Sequence, residues 1–329
     1  MPAKNIIYSI PSVEYISSIA AQSYGIAPKK TVLYRNSGGI LYFIETGDRK
    51  YVFKVFSGYE TRDTVHSQAF RAKESFGVIN YLYENGFAVP KIYTALDGKL
   101  WCDFPIAEGS ATGALLEYIA GDDVEYNDIK NDIAETTASM HNIMRDYTGS
   151  LSQLGEDFYI GRMIKILHKY YDENDKIREI SQLGHMAFDK IRDLPRGFCH
   201  GDFGTHNIAA KDGRLYVFDF DVASRSYPMF DIALICDTSN FWKFDAKAMC
   251  KTKDNICRFA DIYTKHCTLT ETEIDSFIYF LALRQYEVRA TVAHISLPKI
   301  GAYFLNEGYL DALHSWMAKF TDYVSAPKS

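Results

Sequence analysis

The sequence predicts an α+β protein of two lobes, strand-rich to about Glu117 and helical beyond it. Three observations carry that expectation. Between residues 31 and 56 short apolar runs alternate with Gly, Asn and Asp turns, the pattern of an antiparallel sheet. From about Val124 apolar residues recur at helical spacing instead. The helical part is broken at 208–219 by two short apolar runs on either side of Asp212-Gly213, which signals a β-hairpin. A chain of 329 residues is too long for one small domain, and the change of pattern divides it into lobes of 1–117 and 118–329.

Each element has its own signal. Val13, Ile16, Ile19 and Ala20 share one helical face over 11–24, and Gly25 is a stop. Strands are expected at 31–34, 40–45 and 51–56, with turns at Asn36-Ser37-Gly38-Gly39 and Gly47-Asp48. A helix over 68–85 ends at Gly86. Val89-Pro90 opens a short extended piece, and Asp97-Gly98 marks another hairpin turn. Leu115-Leu116-Glu117-Tyr118-Ile119-Ala120-Gly121 has the look of a hinge. Ile129, Ile133, Thr136, Thr137, Met140 and Ile143 then fit one amphipathic helix. Further helices are expected at 155–171, 177–191, from Pro228 onward, and at 245–265, 272–296 and 303–323.

Composition bounds the function. Hydrophobic residues at 47% and charged residues at 24% fit a folded chain and not a disordered one. A net charge of −6 argues against sequence-independent nucleic-acid binding. The six cysteines form no Cys-x-x-Cys pair, so neither a disulfide framework nor a zinc site is indicated. The chain opens without a basic-then-apolar leader pattern. Apolar runs such as 277–283 are far too short to cross a membrane. A soluble cytoplasmic protein is expected, with neither nucleic acid nor membrane as partner.

The chemistry concentrates in residues 199–221. Asp202 and Asn207 lie just before the expected hairpin and Asp219 lies at its end, so folding the hairpin brings oxygen-bearing side chains together. Such a set suits a hard cation and a phosphoryl group. Upstream, Lys54 stands in the third strand amid apolar neighbours, on the face of Val52 and Phe56. A charge on an apolar face needs a partner. Ser37 and Gly38, in the first turn, could lay backbone N–H groups against phosphates, because glycine lets the backbone approach closely. On the helix after the strands, Glu74, Val78 and Leu82 share a face.

The pattern His-x-Asp-x-x-x-x-Asn at 200–207, with Asp219 after an apolar strand, resembles the aminoglycoside phosphotransferase and choline kinase superfamily. His-Gly-Asp-Phe-Gly-Thr-His-Asn and the later Phe-Asp-Phe-Asp are most similar to its homoserine-kinase-like and spore-coat-kinase-like branches. The resemblance implies a bilobal protein-kinase-like fold and ATP-dependent transfer of a phosphoryl group to a hydroxyl of a small molecule. It gives Asp202 the role of catalytic carboxylate, and Asn207 and Asp219 that of magnesium ligands. Lys54 matches the strand lysine that holds the α- and β-phosphates. Its expected partner is Glu74, although the family spacing, counted back from Leu82, falls one residue on, at Ser75. Glu60 is the second candidate. The backbones of Glu117 and Ile119 match the hinge groups that pair with adenine. His200 and Asp231 match residues that shape and buttress the catalytic loop. Asp221 is read either as a second magnesium contact or as a cap.

Two rival readings remain at this stage: a protein kinase, and a catalytically inactive kinase-like protein. Against the first, little chain separates Asp219 from the helix at Pro228, Asp219 is followed by Phe220-Asp221 and not by Phe-Gly, and no Ala-Pro-Glu occurs. Against the second, Lys54, Asp202, Asn207 and Asp219 are all present. The acceptor is open among homoserine, choline or ethanolamine, aminoglycoside and sugar types. Glu287, Asp311 and Trp316 are candidates for binding a cationic acceptor.

Overall fold

The computed structural model describes residues 10–36, 39–57, 68–107 and 109–326. These form two compact units. The first comprises the chain up to Val124 together with Asp146–Ser152 and Thr205–Ala223. The second comprises Glu125–Arg145, Gln153–Gly204 and the remainder from Ser224.

In the first unit, helix α1 (Val13–Tyr24) starts at Ser12, whose hydroxyl accepts from the Tyr15 amide at 3.2 Å. It ends at Gly25, which is left-handed at φ 66°, as a C-cap glycine permits. Strands β1 (Lys30–Arg35), β2 (Ile40–Glu45), β3 (Lys50–Ser57), β4 (Cys102–Ile106) and β5 (Gly109–Glu117) make a five-stranded antiparallel sheet in the order β1-β2-β3-β5-β4. Strand alternation sends Tyr51, Phe53 and Val55 to one face of β3. There they join Tyr42, Ile44, Phe104 and Leu115 in a core closed by Ile16, Ile19 and Ala20 of α1. Lys54 and Phe56 take the opposite parity.

Helix α2 spans Gln68–Glu84 and buries Ala72, Phe76, Ile79 and Leu82. Asp97-Gly98 does form a tight turn, with the Gly98 amide on the Ala95 carbonyl at 2.9 Å. That turn precedes β4 and is not itself the hairpin loop, since β4 and β5 pair from Ile106↔Gly109. The stretch expected as a hinge is strand as far as Glu117, and residues 118–121 belong to no helix or strand. Strand β6 (Asp122–Asp123) then pairs with β8 (Ile208–Lys211), which pairs with β9 (Arg214–Val217). The β8–β9 turn is made by Asp212 and Gly213, both at positive φ, as a two-residue hairpin requires. Gly121 passes so close to this hairpin that a Cβ there would lie 2.9 Å from the Ala210 carbonyl oxygen. Lys54 and Asp219 do not share a sheet.

The second unit is mainly helical: α3 (Tyr126–Met144), α4 (Arg162–Tyr170), α5 (Asp175–Asp189), α6 (Pro228–Cys236), α7 (Ala246–Tyr263), α8 (Glu271–Asp275), α9 (Phe277–Ile300) and α10 (Glu307–Ser325). A two-stranded ladder of β7 (Gly197–Cys199) and β10 (Ser224–Ser226) accompanies them. Two expected helices are each divided. The one at 155–171 opens as a π-helical turn, Asp157–Gly161, before α4. The one at 272–296 is split at Ser276, whose hydroxyl turns back onto the Glu273 carbonyl at 2.6 Å. A capping box of Thr270 and Glu273 opens α8. Among the described residues no helix is long and apolar enough to cross a membrane.

Candidate active site

Lys54 sits inside the first unit with 6% of its surface exposed. Its Nζ donates to Asp219 Oδ1 at 2.8 Å and to Asp221 Oδ1. The other Asp219 oxygen accepts from Arg35 Nη2 at 3.1 Å. Two partly buried carboxylates are thus held by one buried and one half-exposed cation. Burial alone would lower the Lys54 pKa, but the two aspartates outweigh it and raise it above the ordinary lysine value. Burial pushes Asp219 up as well, yet Lys54 prevails and holds it well below the usual carboxylate range. Asp221 moves the other way, raised by burial and then by the charge of Asp219.

Backbone geometry places these groups. The Phe218 amide donates to the Asn207 carbonyl at 2.9 Å, closing the hairpin one step beyond the Ile208↔Val217 pair. Asn207 and Asp219 therefore meet at one end of it, as the sequence predicts. Asp219 itself is left-handed, at φ 62° and ψ 59°. That conformation costs a non-glycine residue about 1–2 kcal/mol, and such local strain collects at functional positions. Gly39, just before β2, lies against the lysine: a Cβ there would lie 3.2 Å from Lys54 Cε. Ser37 and Gly38, the expected phosphate loop, and Glu60 lie outside the described residues.

The expected Lys54–Glu74 pair is not formed. Glu74 is buried, but its carboxylate accepts from Ser150 Oγ at 3.0 Å and Ser152 Oγ at 2.6 Å. The next residue faces the lysine's partners instead, with Ser75 Oγ 3.4 Å from Asp221 Oδ1. One step along a helix turns the side chain by about 100°, so Glu74 and Ser75 cannot serve the same face. The spacing counted back from Leu82 marked Ser75, and that is the residue beside the site. At the end of β5, the Glu117 amide donates to the Lys91 carbonyl at 2.8 Å, and its side chain accepts from the Lys91 amide at 3.3 Å. Ile119 is buried in the linker that follows.

Asp202 belongs to the second unit, on the loop that runs through Phe203–Gly204 into the turn at Thr205–Asn207. The loop is pinned from beneath by Asp231 of α6, which is fully buried. Its carboxylate accepts from the His200 amide at 2.6 Å, the Gly201 amide at 2.8 Å and His141 Nε2 at 3.1 Å. His200 is also fully buried, its ring 5.4 Å from that of Phe203. Both residues shape the loop. His206 is exposed.

For a hard divalent cation the donor set fits: a carboxamide and a carboxylate at one end of a hairpin, with the second carboxylate of Asp221 close by. Each Asp219 oxygen already meets a cation, so the site is built to carry positive charge. Arg35 carried no signal in the sequence, since it lies outside every motif. The residues suggested for a cationic acceptor are otherwise engaged. Glu287 pairs with Arg162 at 3.3 Å, Asp311 pairs with Lys176, and Trp316 is buried against Phe244 at 5.2 Å between ring centroids.

A family model described as "Phosphotransferase enzyme family" matches residues 36–252, more than half of the chain. The protein belongs to this family. The match takes in Lys54, the 199–207 loop, Asp219 and Asp221 of this phosphotransferase. No curated protein sequence matches it. Solved structures share its fold at low identity. An amicoumacin kinase, solved with AMP-PNP, Ca2+ and its antibiotic, is 18% identical with a TM-score of 0.72, over 94% of this chain and 93% of its own. A microcompartment-associated aminopropanol kinase is 15% identical with a TM-score of 0.70, over 94% and 95%. The choline kinase LicA from Streptococcus pneumoniae is 17% identical with a TM-score of 0.61, over 93% and 98%.

Proposed function

We propose that this phosphotransferase is an ATP- and Mg2+-dependent small-molecule kinase that transfers the γ-phosphoryl group to a hydroxyl. The observation that carries this reading is the buried Lys54 held between Asp219 and Asp221, with Asn207 at the same end of the hairpin. Phosphoryl transfer asks mainly for positioning and for neutralisation of charge. Lys54 meets the α- and β-phosphates from a position it cannot leave. The Glu117 carbonyl and Ile119 amide read adenine. Asn207 and Asp219 hold magnesium, which when bound offsets the charge on the phosphate oxygens. Asp202 orients the acceptor hydroxyl and takes its proton as the oxygen bonds to the γ-phosphorus and the bond to the β–γ bridging oxygen breaks, releasing ADP.

The structural neighbours are named for an antibiotic, aminopropanol and choline, and these with hydroxylated acids make up the acceptor panel. A protein substrate is disfavoured because only a short turn and β10 separate Asp219 from α6. The test is ADP release with a panel of hydroxylated metabolites and antibiotics. We expect acceptor-dependent release that Asp202→Asn abolishes. Absence of acceptor-dependent release and of nucleotide binding by the intact protein would overturn the reading in favour of an inactive homologue.

A further inference from the structure

Arg289, on α9, is 1% exposed, and among the described residues none of its three guanidinium nitrogens has a hydrogen-bond partner. Rings surround its charge. The guanidinium carbon lies 5.0 Å from the Phe241 centroid, 5.0 Å from Trp242 and 5.2 Å from Tyr309. Tyr309 is near enough to act on the charge, while its hydroxyl donates to the Arg289 carbonyl at 3.1 Å. One helical turn earlier on the same face, Gln285 is also buried with its Oε1 unpaired. On α9 itself Glu287 is committed to Arg162, and on α10 Asp311 is committed to Lys176. An arginine cannot shed its proton to escape such a place. A buried cation with five N–H donors and no acceptor among the described residues is the complement of an anion.

The cover over this group is slight. Phe241 and Trp242 form the tip of a short turn tied at its base, where the Trp242 amide donates to Asn240 Oδ1 at 2.8 Å and the Lys243 amide to the Asn240 carbonyl at 3.2 Å. Trp242 is 64% exposed, so lifting it uncovers the guanidinium without opening the core. The turn follows directly from α6, the helix whose Asp231 holds the His200 and Gly201 amides of the catalytic loop.

We propose that Arg289, beneath the Phe241–Trp242 tip, is a carboxylate-binding site that anchors the acceptor, so that the substrate is a hydroxylated acid. The anchoring role rests on the kinase reading; the site itself does not. One unpaired guanidinium fork between aromatic walls matches one planar monoanion, whereas a phosphate dianion would bring an unmatched second charge. Because the rings already face a cation, this cage does not take an ammonium group.

The experiment uses the full chain at fixed ionic strength. Acetate and its neutral isostere acetamide are titrated while tryptophan emission and Tm are followed. Acetate should change the emission saturably and raise Tm, and acetamide should do neither. The emission change should vanish in Trp242→Phe, and both effects should vanish in Arg289→Gln. Trp242→Ala, an exposed change that leaves Arg289 in place, should keep the Tm response to acetate even if Arg289→Gln folds poorly. Equal responses to acetate and acetamide, or loss of the Tm response in Trp242→Ala, would overturn the site. In parallel, ADP release is compared for matched acceptors: 3-hydroxypropionate with 1,3-propanediol, and homoserine with 3-amino-1-propanol. The acid of at least one pair should be favoured at least tenfold in kcat/KM. Arg289→Lys should lower that preference through KM with little change in kcat. Preference for the partners that lack the carboxylate overturns the anchoring role. Acetate binding without ADP release from any acceptor also overturns the anchoring role, and with it the kinase reading, while leaving the anion site standing.

Discussion

Lys54, Asp202 and Asp219 are assigned different jobs, and single substitutions separate them. Lys54 is buried between two carboxylates. Lys54→Ala leaves two acids facing each other without their counter-charge, and breaking a buried pair costs about 3–5 kcal/mol. We expect a lower Tm, partly recovered by magnesium, and a higher apparent KM for ATP. Unchanged ATP kinetics would remove Lys54 from the phosphate site. Asp219→Asn takes a charge from the metal ligands, so magnesium-nucleotide affinity should fall and excess magnesium should restore part of it. Asp202→Asn leaves the phosphate contacts alone. Turnover should drop by about 10²-fold or more, the usual reach of a positioned proton acceptor, with nucleotide affinity nearly unchanged because the lost interaction is made in the transition state. Titration with magnesium-ATP beside single-turnover rates reads all three variants. The opposite pattern in the two aspartates would reverse their roles.

At the scale of elements, α2 shows what pattern alone could and could not resolve. Its C-terminal end, the β2–β3 pairing and the β8–β9 hairpin were legible, because periodicity and turn residues are local signals. The convergence of Asn207 and Asp219 followed from the hairpin itself. The partner of Lys54 was not legible, since it depends on which of two adjacent α2 residues faces a chain segment far away in sequence. Glu74 meets Ser150 and Ser152, while Ser75 meets Asp221. The breaks before α4 and at Ser276 were missed because apolar periodicity runs through both; at Ser276 a side-chain hydrogen bond to the Glu273 carbonyl marks the break. This geometry makes Glu74 a tether of α2 to the 146–152 segment. Glu74→Ala should cost about 1–3 kcal/mol, the range for stranding buried partners of a charged group, and leave KM for ATP within about twofold, as an indirect tether requires. A large loss of turnover with little loss of stability would instead return Glu74 to the phosphate site. Gly121 is a second such point. Gly121→Ala drives a Cβ toward the Ala210 carbonyl and should lower stability by about 1–3 kcal/mol, as overpacking does; an unchanged Tm would mean that the linker yields freely.

For the molecule as a whole, the decisive fact is that neither unit is a continuous stretch of chain. The sheet-bearing unit takes Asp146–Ser152 and Thr205–Ala223 from beyond Val124. Those two insertions are what its buried charges need. Lys54 finds Asp219 and Asp221 in the second, and Glu74 finds Ser150 and Ser152 in the first. A fragment ending at Val124 keeps the five-stranded sheet and α1 but buries a lysine and a glutamate without their partners. A buried charge that has lost its partner costs about 3–5 kcal/mol, set against a total stability of about 5–15 kcal/mol for a typical domain. Residues 1–124 expressed alone should therefore lack a cooperative thermal transition and should exchange their sheet amides rapidly. Division at 117/118 should fail in the same way. The double variant Lys54→Met, Glu74→Leu in that fragment removes both stranded charges at similar volume, so it should recover a measurable transition, whereas in the full chain it should abolish nucleotide binding. If residues 1–124 unfold cooperatively with the charges intact, the sheet is self-sufficient and the two insertions serve the site without sustaining the fold.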